Sequence, residues 1–147
     1  MSAKTSPQTR EQKQRMRVSK KASDAFLVLV VEDEHFLSDI YEHQLKKEGF
    51  QVLVAHNGEE ALAFMKKQKP QVILLDLVMP KMNGFEFLEH LSKEPSWKNI
   101  PVIVLSNLGQ DRDREFCEKL GVRCHLIKIR VSTTEVIEEV KKYINPT

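Results

Sequence analysis

The chain has 147 residues, 41% hydrophobic and 30% charged, with a formal net charge of +2, which is enough for one ordinary domain that needs no covalent staple. Two cysteines, Cys117 and Cys124, form no disulfide framework and lack metal-ligand spacing, so they read as reduced structural thiols. The longest apolar run, Phe26 to Val31, is far too short to span a bilayer and no apolar signal segment opens the chain, so a cytoplasmic protein without membrane insertion is expected.

Residues 1–24 carry seven Lys/Arg against Glu11 and Asp24, a net +5, which leaves −3 on the remainder. With almost nothing apolar to bury, this stretch reads as a disordered basic tail, and 25–147 as the folded domain. Its rival use is an electrostatic arm for nucleic acid, an anionic membrane or an acidic partner, although it lacks aromatic residues that stack on bases.

The run 26–31 (FLVLVV) is apolar throughout, as in a strand buried on both faces. It leads into "VEDEHF" with no glycine-rich loop, so dinucleotide and P-loop readings lose their phosphate cradle. Phe36, Leu37, Ile40, Tyr41 and Leu45 then recur at helical spacing up to Gly49, a left-handed cap position. After a strand at 51–55 (QVLVA), a helix at 58–68 turns Ala61, Leu62 and Met65 inward and ends before Pro70. A strand at 71–75 (QVILL) delivers Asp76, and a helix from Gly84 to about Ser92 carries Phe85, Phe87, Leu88 and Leu91, closed by "KEPSW". A strand at 101–105 (PVIVL) delivers Ser106, and a short charged helix near 110–119 follows. The last strand, 123–127 (RCHLI), delivers Lys128, and a helix at 132–144 turns Val136, Ile137, Val140 and Ile144 inward. Five strand–helix units with short connections predict an α/β fold: a parallel sheet with helices on both faces, because right-handed crossovers place them there.

A parallel sheet sends the last residue of every strand to one edge, where open α/β folds keep their chemistry. Glu32, Asp33, Asp76, Ser106 and Lys128 should therefore converge. Three carboxylates repel: at about 4 Å and an effective dielectric near 20, each pair costs about 4 kcal/mol. A divalent cation offsets this, and Mg²⁺ suits carboxylate, water and phosphoryl oxygens. Lys128 adds a positive point charge and Ser106 a hydroxyl donor. The set fits phosphoryl transfer to a carboxylate by positioning and charge neutralisation. Each residue also has an ordinary reading: Asp76 as a turn former, Glu32 and Asp33 with Glu34 or His35 as caps of the first helix, Lys128 as a solvated charge.

The stretches "LVVEDE", "LLDLVMPKMNGFEFL", "PVIVLSNLG" and "HLIK" resemble, in this order and spacing, the receiver domain of bacterial two-component response regulators, over about residues 26–146. The resemblance implies a flavodoxin-like (βα)5 fold, doubly wound, with strand order 2-1-3-4-5, and a stand-alone signalling module rather than an enzyme. It implies that Asp76 accepts a phosphoryl group from a sensor histidine kinase or a histidine phosphotransfer protein. Asp33 would then bind Mg²⁺ directly and Glu32 through water, with the backbone carbonyl of Val78 completing the set, while Pro80 and Gly84 shape the loop. It also implies that Ser106 and His125, at a position often aromatic in the family, switch together, a plain surface His on the last strand being the alternative, and that a downstream protein reads the face formed by the fourth helix, fifth strand and fifth helix.

Four positions depart from the resemblance. Receivers usually place a proline after the site lysine, with a cis bond; here Lys128 is followed by Ile129, where a cis bond would cost about 2.5–4 kcal/mol, which leaves the direction of Lys128 open. Asn107 replaces a small residue, and its amide either narrows access to the phosphoryl group or hydrogen-bonds to it. Apolar Val78 and Leu108 imply a long-lived phosphorylated form. Asn107 and Ile129 motivate the alternative of a degenerate receiver-like module that binds partners independently of phosphorylation. An aspartyl-phosphate phosphatase would need a second acid where Val78 stands.

Overall fold

The computed structural model describes residues 26–79, 81–107 and 111–143, without the side chains of 111–113. The basic tail, Pro80, Leu108, residue 110 and Ile144 lie outside the described residues. Five units follow one another: β1 (Leu27–Val31), α1 (His35–Lys47), β2 (Gln51–Ala55), α2 (Gly58–Lys67), β3 (Val72–Asp76), α3 (Gly84–Lys93), β4 (Val102–Ser106), α4 (Asp111–Lys119), β5 (Cys124–Ile127), a 3-10 turn (Lys128–Arg130) and α5 (Thr133–Lys142). All strand pairs are parallel, in the order β2-β1-β3-β4-β5. This is the doubly wound, flavodoxin-like (βα)5 arrangement.

The sheet is covered on both faces because its central strands are apolar at successive positions that point opposite ways. Leu29, Val31, Ile73, Leu75 and Val104 pack with Ala61, Met65, Phe87, Leu88, Leu91 and Cys117 from α2, α3 and α4. Val28, Val30, Leu74, Ile103 and Leu105 pack with Tyr41, Leu45, Val136, Ile137 and Val140 from α1 and α5. Phe36, expected on the inner stripe of α1, is instead 78% exposed. Leu37 packs on the core and Ser38 is fully buried in the same turn, so Phe36 occupies its outward side. Gly49 takes φ 96° after α1, the left-handed conformation expected there. Among the described residues no helix is long and apolar enough to cross a membrane, and Cys117 and Cys124 form no disulfide.

β2 and the ends of β1 and β5 fall where the sequence predicts, and the other strand boundaries differ by one residue. Asp76 and Ser106 are the last members of β3 and β4 rather than the first residues after them, paired with Leu105 and Ile127. Ladder bonds are made by the backbone and continue past the apolar run. Two candidate site residues are thus fixed by sheet geometry rather than by a loop.

Candidate functional site: an acidic pocket at the carboxyl edge

Glu32 leaves β1 with its N–H still donating to the Ala55 carbonyl at 2.9 Å, which extends the ladder by one residue. Glu32 is 2% exposed and Asp76 6%. One carboxylate oxygen from each of Glu32, Asp33 and Asp76 lies within 4.8 Å of the others. Lys128 spans the pocket: its ammonium donates to Asp76 Oδ2 at 3.3 Å and pairs with Glu32 Oε1 at 2.9 Å. The other Glu32 oxygen accepts the Glu34 N–H at 3.2 Å, and Asp76 Oδ1 accepts the Val78 N–H at 3.3 Å. The turn role of Asp76 therefore coexists with the cluster, whereas α1 starts at its N-cap residue Glu34 with no side-chain cap bond.

Burial sets the electrostatics. It pushes the Glu32 carboxyl up to about 7, with the Asp76 charge adding to the rise and Lys128 opposing it. Burial also raises Asp76 above the usual carboxylate range, against the pull of Lys128. Burial alone would lower Lys128, but its contacts with Glu32 and Asp76 outweigh that and raise it. One ammonium compensates two buried carboxylates, with Asp33 beside them. Glu32 Oε1 is buried with the Lys128 ammonium 2.9 Å away, and a carboxylate oxygen has a second lone pair for another cation. The donors are all hard oxygens, and they fit Mg²⁺ or a similar divalent ion.

The loop after β3 is held close from two sides. A Cβ on Gly84 would lie 2.5 Å from the Leu77 Cα and 2.7 Å from the Asp76 carbonyl oxygen; one on Gly58 would lie 2.6 Å from the Met82 carbonyl oxygen. Only glycine permits either approach. At the pocket mouth, Val78 and Ile129 are 59% and 79% exposed.

Lys128–Ile129 is a trans bond, and Lys128 nevertheless reaches the acids. Asn107 Oδ1 accepts the Ile129 N–H at 3.1 Å, a contact the sequence reading did not include. Ser106 is fully buried at the end of the strand beside β3, and His125 lies three residues before Lys128 on β5. His125 lines a cleft of about 310 Å³ with Arg114, Cys117, Glu118 and Arg123. Two pocket neighbours escaped the sequence reading. His56 donates from Nδ1 to the Glu32 carbonyl at 3.0 Å and stacks on His35, ring centres 3.9 Å apart. It follows β2, the one strand whose end the reading did not compare. Tyr41, buried beneath the site, has its hydroxyl pushed up to about 12 by burial and by the Glu32 charge.

The family model described as response regulator receiver domain matches residues 28–141. Protein PilH of Pseudomonas aeruginosa is 36% identical over 103 residues, 69% of this chain and 84% of that protein. A probable transcriptional regulator, ycf27 of Porphyra purpurea, is 37% identical over 69% of this chain, which spans only 40% of that longer protein. The solved Mn²⁺-bound form of response regulator Rcp1 superposes with a TM-score of 0.71 at 29% identity, covering 80% of this chain and 92% of that one. With a sheet order, an acidic edge and a family match that coincide over the same residues, this chain belongs to the response regulator receiver domain family.

Proposed function

We propose that this chain is the phosphoacceptor of a two-component His–Asp phosphorelay, phosphorylated on Asp76 with Mg²⁺ and acting through protein–protein interaction. Receiver domains are signalling modules, and the observation that carries the reading is a buried Asp76 whose carboxylate is held by Lys128 beside Glu32 and Asp33. An Asp76 oxygen attacks the phosphorus of a donor phosphohistidine; the P–N bond breaks and its electron pair leaves with the imidazole. Mg²⁺, held by Glu32, Asp33, Asp76 and the backbone carbonyl of Val78, supplies positive charge to the phosphoryl oxygens when bound. Lys128 exchanges its carboxylate contacts for a phosphoryl oxygen, and Ser106 donates its hydroxyl to another.

The donor is a protein, a sensor histidine kinase or a histidine phosphotransfer protein, and exposed Phe36, Val78 and Ile129 near the pocket offer it apolar contact. The output runs through His125, which follows Ser106, to a downstream protein on the face formed by α4, β5 and α5. The receiver unit is 25–147, with the basic residues 1–24 outside it, and it acts in the cytoplasm. The phosphorylation-independent alternative drew on Asn107 and Ile129, and the reach of Lys128 to Asp76 removes that motive. The test is phosphotransfer from a cognate kinase or a small phosphodonor with Mg²⁺. The wild type takes label and Asp76→Asn takes none; label retained in that variant refutes the assignment.

A further inference from the structure

The turn Lys128–Arg130 begins directly off β5, and its N-cap residue Ile127 supplies no side-chain cap. The first N–H groups of such a turn have no partner within it. One of them is taken from outside: Asn107 Oδ1 accepts the Ile129 N–H across 22 residues of sequence. The two strands concerned are neighbours, with Ser106 paired to Ile127. An amide leaving the end of β4 therefore fixes the backbone just past the end of β5. The residue between Ile127 and Ile129 is Lys128, whose ammonium holds Asp76 and Glu32. A proline at 129 would carry no N–H, and the Asn107 oxygen would have nothing there to accept.

We infer that Asn107 is a positioning residue: its amide oxygen holds the Lys128–Ile129 backbone so that the Lys128 ammonium meets Asp76 and Glu32, which makes residues 107 and 129 a matched pair. The four-carbon stem of lysine is flexible, so aim must come from the backbone that carries it. The bond is exposed and neutral, and its loss should therefore weaken Lys128 placement rather than abolish it.

The consequence for phosphorylation rests on the proposed role of Asp76; the pairing itself does not. The experiment uses the full chain in two arms. In the first, hydrogen exchange of the Ile129 amide is followed by NMR without Mg²⁺ or phosphodonor. Asn107→Ala speeds that exchange about fivefold, the effect of losing one ordinary neutral hydrogen bond, and Asn107→Asp, which keeps an acceptor oxygen, restores protection. In the second, phosphoramidate with Mg²⁺ labels the wild type, Asn107→Ala, Ile129→Pro and the double variant. Asn107→Ala slows labelling about fivefold in the wild-type background and adds nothing to Ile129→Pro. Unchanged Ile129 exchange in Asn107→Ala overturns the pairing, and equal slowing in both backgrounds overturns the positioning role. A wild type that takes no label sinks the proposed function instead, and the exchange arm still decides the pairing.

Discussion

Glu32 shows how a single residue can tie stability to pH and to metal. Its folded-state carboxyl titrates at about 7, far above an unfolded glutamate, so between roughly pH 4.5 and 7 the folded state holds a proton that the unfolded state has lost. Stability from this group is fully present below that window and falls as pH rises through it. Asp76 is raised as well, so it contributes in the same direction. Thermal melts in EDTA should therefore show a midpoint that drops by several degrees from pH 5 to 7.5. Mg²⁺, which binds the charged forms, should raise the midpoint much more at pH 7.5 than at pH 5. A metal-free midpoint that climbs over this range would contradict the burial described. Asp76 and Lys128 were legible in the sequence because a parallel sheet sends strand ends to one edge. His56 obeys the same rule at the end of β2 but was not compared. Phe36 was misplaced because adjacent Phe36 and Leu37 both fit the apolar spacing, and only Leu37 turns to the core.

Among elements, α3 and α5 start from complete capping boxes. Asn83 accepts the Glu86 N–H at 3.0 Å while Glu86 accepts the Asn83 N–H at 3.1 Å, and Ser132 and Glu135 repeat the exchange for α5. Each box satisfies two of the backbone donors that a helix start leaves open. Asn83→Ala should cost about 1 kcal/mol in urea denaturation, with an unchanged m-value; no measurable loss would mean the cap is replaced by water. The order of strands and α-helices was readable from apolar runs, helical spacing and the stops at Gly49 and Pro70, whereas the 3-10 turn Lys128–Arg130 was not. The ends of β3 and β4 were not, because composition marks where side chains turn polar whereas ladders end where backbone pairing does. Nor was the contact between Asn107 and Ile129, which joins two loops through an amide and leaves no periodic trace.

At the scale of the molecule, the doubly wound sheet separates its tasks: side chains on its two faces supply the core, and the ends of its strands supply the pocket. That division made the family's fold recoverable from motif order alone. The strand sequence also implies a history. A chain emerging amino-terminus first acquires Glu32 and Asp33 with β1 and Asp76 with β3, whereas the counter-charge on Lys128 arrives only with β5 at the sheet's margin. Until that margin closes, the half-built molecule carries crowded anions that nothing neutralises. In a full-length chain whose edge strand docks last, stopped-flow refolding should therefore be slowed in its final phase by millimolar Mg²⁺ or by added salt, which weaken the attraction of Lys128 to the acids. A rate indifferent to both would mean that the edge strand docks before the acids gather.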